Sequence, residues 1–402
     1  MKTQALLQLH LLALLFIVCS SLSYSPSIIN SQHQQHQQQQ QQHQQHQQYQ
    51  QVDITSSSLD IGDCEIGVDN TLDYVIGIDI GSSYSSVSVY RNGYYETVHN
   101  ESDKNNYVTP SYVAFSNGEI LVGEAAKDQA ISNPQNTISM NDIRSLIGRR
   151  YSDQHVQDRV KTLTFRVVDI YDKPYIVAKL NGEDKSYSPE DIFGIFLNRM
   201  REKVEGYFFG VPIKHAVITC PVSFNGVQRQ SIRDAGALAG LNVIQVIDEP
   251  IAACLSYDLN RGVGDRNILV FDFGADKVEV TILNVDNRGV FKVLSNTDVQ
   301  SGADIIEGED PLETVKQVLE ISGLNKVDIS NIVMVCQYGH LHNVNQLLTD
   351  FFDGKQTLRD IDPHYVLSVG AAISGARLIK ELPDNTNAQQ PLVIQSGTHD
   401  EL

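Results

Sequence analysis

The sequence predicts an α/β fold of two lobes, each opened by the same strand–turn–strand hairpin. Three observations carry that expectation. "VIGIDIGSSYSSVSVY", from Val75 to Tyr90, and "ILVFDFGADKVEVTIL", from Ile268 to Leu283, share one layout: an apolar strand, a tight turn, a second strand, and an Asp on the first strand two residues before a Gly. After each hairpin, short apolar runs of strand length alternate with stretches of helical periodicity. The chain of 402 residues, 41% hydrophobic and 20% charged, is long and apolar enough for two or three ordinary domains with real cores.

Taken in order, residues 1–24 read as a signal peptide. Lys2 is the only formal charge, "ALLQLHLLALLFIVC" is an apolar stretch too short for a comfortable membrane span, and "SSLSYS" offers small residues for cleavage. An uncleaved anchor is the rival reading. Removing the segment takes the net charge from −19 to −20 (−19 minus 1). Residues 25–73 hold a Gln/His-rich tract and a Ser- and Asp-rich linker, which cannot bury apolar surface and are expected to be disordered. The first lobe is expected over 74–262. In it "SPEDIFGIFLNRMREKVEGYF" is a helix with Ser188 as cap, Pro189 in the first turn and Asp191 completing a capping box. Ile192, Phe196, Met200 and Val204 form its buried stripe. "HAVITCP" is a buried strand, "NGVQRQSIRDAGALAG" a helix stopped near Gly240, and "NVIQVIDEP" a strand expected to carry Asp248 and Glu249 at its C-terminal end. The second lobe is expected over 263–380: after its hairpin come a helix capped by Asp310 and stopped at Gly323, the strand "NIVMVCQY", and two closing helices. Residues 381–402 form a polar tail ending in His399-Asp400-Glu401-Leu402, a tetrapeptide read as a retrieval address for the endoplasmic reticulum. With the N-terminal segment, it places the expected localisation in the endoplasmic-reticulum lumen and makes the HDEL receptor an expected partner.

The acidic balance argues against nucleic-acid binding, which needs Lys and Arg on phosphates. It suits a soluble protein without stable membrane insertion, expected to be a monomer. Besides Cys19 in the signal, Cys64, Cys220, Cys254 and Cys336 are too sparse for a disulfide scaffold, and the last three sit in apolar contexts of buried thiols.

Small-residue turns point several backbone N–H groups one way, and such nests hold phosphate oxygens. Two hairpins facing each other can therefore grip a polyphosphate from both sides; the first turn, GSSYSS, is small and hydroxyl-bearing, whereas the second carries Asp276 and Lys277 where such a cradle would want Gly and Thr. Asp79 and Asp272, each on a first strand, would face the cleft and hold a hydrated Mg²⁺ through its waters. Glu249 could orient an attacking water.

The stretches "GIDIGSSYSSV", "TPSYVAF", "NPQNTISMNDIRSLIGRR", "CPVSFNGVQRQSIRDAGALAGLNVIQVIDEPIAA", "LVFDFG" and "DPHYVLSVGAAISGA" resemble the ATPase domain of the 70-kDa heat-shock protein family, within the actin-like ATPase superfamily. The resemblance runs from about Tyr74 to Leu378 and implies an actin-like ATPase fold and ATP or ADP with Mg²⁺ as cofactor. Position by position it implies catalytic roles for Glu249, Asp272 and Asp79, sets Arg144 where the family has a catalytic Lys, and implies nucleotide-binding roles for Gly81, Ser82, Ser83 and Tyr84 on the first turn and Gly274, Ala275 and Lys277 on the second. With the signal and HDEL, the chain looks like a lumenal, stand-alone ATPase-core type.

Several positions depart from the family. Arg144 exchanges a compact ammonium for a planar fork. Ala275, Asp276 and Lys277 replace a Gly- and Thr-rich second turn, and Glu279 stands for the next family Asp. Cys336 and Gln337 replace a Gly-Gly pair on the adenosine side. Between Gly302 and Pro311 the family's helical insert is missing, so the second lobe is expected to be truncated. The expected function is that of a lumenal chaperone-like protein that binds ATP with weak or lost hydrolysis, a pseudo-ATPase. It is expected to take part in protein folding or in regulating the full-length lumenal chaperone by occupying that chaperone's co-chaperones or exchange factors. A slow active ATPase and a non-functional relic are the alternatives.

Overall fold

The computed structural model describes residues 74–91, 94–100, 103, 106–262, 264–274, 277–300, 311–336 and 341–381. The expectations for the signal peptide, the Gln/His tract, Cys64, Ala275, Asp276, the missing insert, Asp310, the turn after Cys336 and the HDEL tail lie outside the described residues. Contacts divide the chain into two units, Met1–Asn70 and Thr71–Leu402, and the described residues all belong to the second.

The elements of the first half are β1 (Val75–Ile80), β2 (Tyr84–Arg91), β3 (Tyr94–Thr97), β4 (Val108–Pro110), β5 (Tyr112–Ser116), β6 (Glu119–Val122), α1 (Glu124–Lys127), α2 (Gln129–Ser132), β7 (Thr137–Ser139), α3 (Met140–Leu146), α4 (Gln154–Val160), β8 (Arg166–Ile170), β9 (Lys173–Leu180), β10 (Glu183–Tyr187), α5 (Pro189–Tyr207), β11 (His215–Cys220), α6 (Gly226–Leu238), β12 (Asn242–Asp248) and α7 (Glu249–Ser256). The second half has β13 (Arg266–Phe273), β14 (Lys277–Val285), β15 (Phe291–Gln300), α8 (Pro311–Ser322), β16 (Ile329–Cys336), α9 (Leu341–Phe351), β17 (Thr357–Leu358) and α10 (Val366–Glu381).

The two hairpins are the hubs of two sheets with one plan. The first sheet runs β12-β11-β1-β2-β3, with β4 also on β2; the second runs β15-β14-β13-β16-β17. In each, the hairpin's first strand pairs antiparallel with its second and parallel with a later strand: β1 with β11, and β13 with β16. The internal repeat read in the sequence is thus a repeat of topology.

Local signals explain most elements. Ser188 accepts a hydrogen bond from the Asp191 backbone N–H, and the Asp191 carboxylate accepts one from the Ser188 N–H, the expected capping box with Pro189 at the helix start. Ile192, Phe196, Met200 and Val204 are buried, as their spacing predicts. Helix α6 ends before Gly240 and α8 before Gly323, both in the left-handed region at φ +75° and +69°, where a side chain is disfavoured. Cys220, Cys254 and Cys336 are buried. One expectation needs correction: Glu249 does not end the strand β12. The strand stops at Asp248, and Glu249 is the first residue of α7, because Pro250 lacks the N–H a strand ladder needs and suits a first helical turn.

Strand parity distributes the core. Ile76, Ile78 and Ile80 point into a cluster with α5 and α6, while Val75, on the other face, joins a cluster with α7 and α10. In the second sheet, Leu269, Phe271 and Phe273 face α8 and α9, while Ile268 and Val270 join that same central cluster. Helix α10 closes the fold by returning to the first sheet. Gly77 and Gly375 let it lie against β1, since a Cβ at Gly77 would sit 2.2 Å from the Ala372 backbone N and one at Gly375 would sit 2.4 Å from a Val75 methyl. Ser368 of α10 is fixed by buried hydroxyl contacts to Ser86 at 2.9 Å and Ser88 at 2.8 Å, both on β2.

Candidate functional site

The parity that sorts the core also aims the charges. Asp79 lies two and four residues after Gly77 and Val75, so it shares their face. Asp272 shares the face of Ile268 and Val270, and on β14 Lys277 and Glu279 share the face of Leu283 and Val285. Glu279 sits directly opposite Asp272 in the ladder. The result is a charged cleft between the two hairpins, of about 550 Å³ with its open mouth included.

Of the residues singled out in the sequence, Asp79, Gly81, Ser82, Ser83, Arg144, Glu249, Asp272, Gly274 and Lys277 all line this cleft. Tyr84 does not join them: it begins β2, and its hydroxyl accepts from Lys127 Nζ at 3.1 Å. Ala275 lies outside the described residues. The two turns differ in what they require. A Cβ at Gly81 would stand 2.5 Å from the Tyr84 carbonyl oxygen, so the first turn demands glycine; at Gly274 the nearest atom, the Lys277 carbonyl oxygen, would be 3.5 Å away, an ordinary contact.

Each cation of the cleft is engaged by an acid. Helix α3, capped by Ser139 and anchored by buried Met140, Ile143 and Leu146, delivers Arg144. Its Nη2 donates to Glu249 Oε1 at 2.5 Å, and its Nη1 to the Ile80 carbonyl at 2.8 Å, with the two side chains only 14% and 9% exposed. Lys277 is ion-paired with Glu279, whose other oxygen accepts from Asn296 Nδ2 at 2.8 Å. Asn296 also donates to Thr281 Oγ1 at 2.7 Å, so the Glu279 carboxylate is held from two sides. Behind the cleft, Asp248 caps no N–H of α7; its carboxylate is paired with Arg229 instead.

The remaining acids, Asp79 and Asp272, make no ion pair among the described residues. Thr219 donates to one Asp79 oxygen at 2.5 Å. Burial, reinforced by the neighbouring Glu249, pushes the Asp79 carboxyl up to about 7, against the pull of Thr219 and Arg144. Burial, with Glu249 and Glu279 close by, holds Asp272 well above the usual carboxylate range. Burial, the largest single influence, disfavours the charged forms of Arg144 and Lys277, but the surrounding acids together outweigh it and raise both: Glu249, Asp79 and Glu279 for Arg144, and Glu279 and Glu249 for Lys277. Asp248 is raised by burial despite Arg229.

Three contributors were not counted among the candidate residues: Glu279, Asn296 and Thr219. Strand alternation carried the signal for Glu279, since it stands two residues from Lys277 and must share its face. Nothing local marks Asn296 or Thr219, which arrive from other strands.

The chemistry of the donors fits the phosphate and magnesium end of a nucleotide. Asp79 and Asp272 offer hard carboxylate oxygens into the cleft without a cation of their own, which suits a hydrated divalent ion. The first turn offers two hydroxyls and a glycine that permits close approach of backbone N–H groups. Among the described residues there is no cluster of three or more His, Cys, Asp or Glu side chains arranged to hold a metal directly. The family model described as Hsp70 protein matches residues 75–308 and 303–387.

Proposed function

This chain belongs to the Hsp70 protein family, whose members are chaperones that bind ATP or ADP, typically with Mg²⁺, on an actin-like ATPase fold; from that premise we propose that it binds nucleotide in the charged cleft but has weak or lost hydrolysis. The observation that carries this reading is the Arg144–Glu249 ion pair at 2.5 Å. By resemblance Glu249 is the water-orienting acid and Arg144 the cation for the transferring phosphoryl group. Here each occupies the other, in a mostly buried place where parting them is costly. Bound magnesium would neutralise phosphate charge. The chain's own part is to position phosphates with the first turn and to present Asp79 and Asp272 to the metal's waters. The two family-model matches meet at residues 303–308, in the stretch where the helical insert is expected to be missing, which supports a nucleoside grip weaker than the family's.

Calorimetric titration with Mg-ATP and Mg-ADP, run beside phosphate release, tests this. The expected outcome is weak binding, with phosphate release no faster than from the Asp79→Asn/Asp272→Asn double variant. The intact first turn favours a slow ATPase as the second reading; release well above that background, abolished by Glu249→Gln, would decide for it.

The proposed setting is the endoplasmic-reticulum lumen, supported by the pairing of the apolar N-terminal segment with His399–Leu402. There the protein would act in protein folding by occupying co-chaperones or exchange factors of the full-length lumenal chaperone. Removing the last four residues is expected to release it into the medium; undiminished retention inside the cell would overturn the lumenal assignment.

A further inference from the structure

The cleft contains a cation on the second hairpin. Lys277 begins β14, on the face that carries Asp272 and Glu279, and lines the cleft with them. Its ammonium is paired with a Glu279 that Asn296 holds in place, so it is stationed over the acids of the second half rather than free to swing into solvent. Its side chain is still 27% exposed, against 8% for Glu279, so the ammonium keeps a path toward a ligand entering the cleft. Counted at full ionisation, Asp79, Glu249, Asp272 and Glu279 bring four negative charges and Arg144 and Lys277 two positive ones. Arg144 is committed to Glu249 and the Ile80 carbonyl, which leaves Lys277 as the cation nearest Asp272 and Glu279. A fixed ammonium there lowers the attraction these acids exert on a divalent ion, and it offers a phosphate group a charge-assisted donor in place of a metal.

We propose that Lys277 is a tethered cation that competes with magnesium for this cleft, so that phosphate groups are held there with little dependence on the metal. This rests on the nucleotide-binding reading for its ligand, but its effect on the metal does not. On entry of a phosphate, the ammonium exchanges its Glu279 partner for a phosphate oxygen, while Glu279 keeps the Asn296 hydrogen bond.

Two measurements on the full chain test it. With ADP as probe, the wild-type affinity is expected to change less than about threefold between magnesium and EDTA buffers, whereas Lys277→Met loses about tenfold or more in EDTA. With magnesium chloride alone, the wild-type melting temperature is expected to move less than about 1 °C. Lys277→Met is expected to gain roughly 3 °C as the uncovered acids take up the ion, and Lys277→Met/Glu279→Gln to lose that gain. A wild-type protein that needs magnesium for ADP, or whose melting responds to magnesium as strongly as the variant's, overturns the proposal. So does a variant with no magnesium response. The wild-type comparison decides even if the variant fails to fold. Absence of ADP binding in every buffer, with the expected melting pattern, would remove the nucleotide reading and leave the tethered cation standing.

Discussion

Gly370→Ala is expected to be among the most damaging single-methyl additions to this protein. A Cβ at that position would lie 1.8 Å from the carbonyl oxygen of Ala252, 2.5 Å from its carbonyl carbon and 2.9 Å from its Cα, all backbone of α7. Backbone atoms of a buried helix cannot rotate away as a side chain would, so α10 must lift off α7. It is clamped on the opposite side, where Gly77 and Gly375 seat it against β1 and Ser368 is bonded to β2. The strain therefore spreads into both sheets. A loss of about 3 kcal/mol or more is expected, seen as a fall of roughly 6–10 °C in melting temperature or a proportionate drop in denaturant midpoint. Gly226→Ala provides the comparison. Gly226 begins α6 with open space around it, so that change is expected within about 1 kcal/mol of wild type. Equal melting of the two variants would mean that α10 is not seated as closely as these distances state.

The second large effect is a pH dependence. The Asp79 carboxyl titrates near 7 in the folded protein and at its ordinary value of 3.8 when exposed by unfolding. Between those two values the folded state holds a proton that the unfolded state has released. Raising the pH across that window therefore favours unfolding, and the slope vanishes once both states are ionised. In metal-free buffer the protein is expected to be more stable at pH 5 than at pH 8, by an amount on the order of 2–4 kcal/mol from Asp79. Asp272, also raised, adds to the same trend. Asp79→Asn removes the buried charge but keeps an acceptor for Thr219, so it is expected to flatten much of the slope and to be more stable than wild type at pH 8. Urea denaturation at both pH values measures this; a wild-type protein equally stable at the two would contradict it.

Much of the architecture was legible because its signals are local. Ser188, Pro189 and Asp191 announce the start of α5 within four residues, and Gly240 and Gly323 announce two helix stops. The twin hairpins could be matched by eye because an Asp two residues before a Gly recurs on each. The membership of the cleft was legible as well, since each candidate that lines it belongs to a hairpin or to a motif with a known place in the family. What escaped was pairing. Arg144 and Glu249 are 105 residues apart, and nothing in either neighbourhood states that they meet. The apolar run before Glu249 reads as a strand that carries it, whereas Pro250 argues for the helix start that the structure shows. The Lys277–Glu279 pair was half legible: strand parity puts the two on one face, but only the third strand, bringing Asn296, fixes the carboxylate between them. The return of α10 to β1 had no local signature beyond small residues at Gly77, Gly370 and Gly375.

That return has a consequence for how the chain is made. Among the described elements, β1 leaves the ribosome earliest and α10 latest, yet these two are packed side by side. The face of the first sheet that carries Val75 and Asp79 is covered in part by α7 and in full only when α10 emerges, about 290 residues after β1. Helix α7 and the second sheet share the cluster that α10 completes, so neither half can settle its inner face during synthesis. The domain therefore cannot finish folding until α10 is out, with apolar strand faces exposed in the meantime, a state prone to aggregation. A member of a chaperone family is, by its own topology, a demanding client while it is being born.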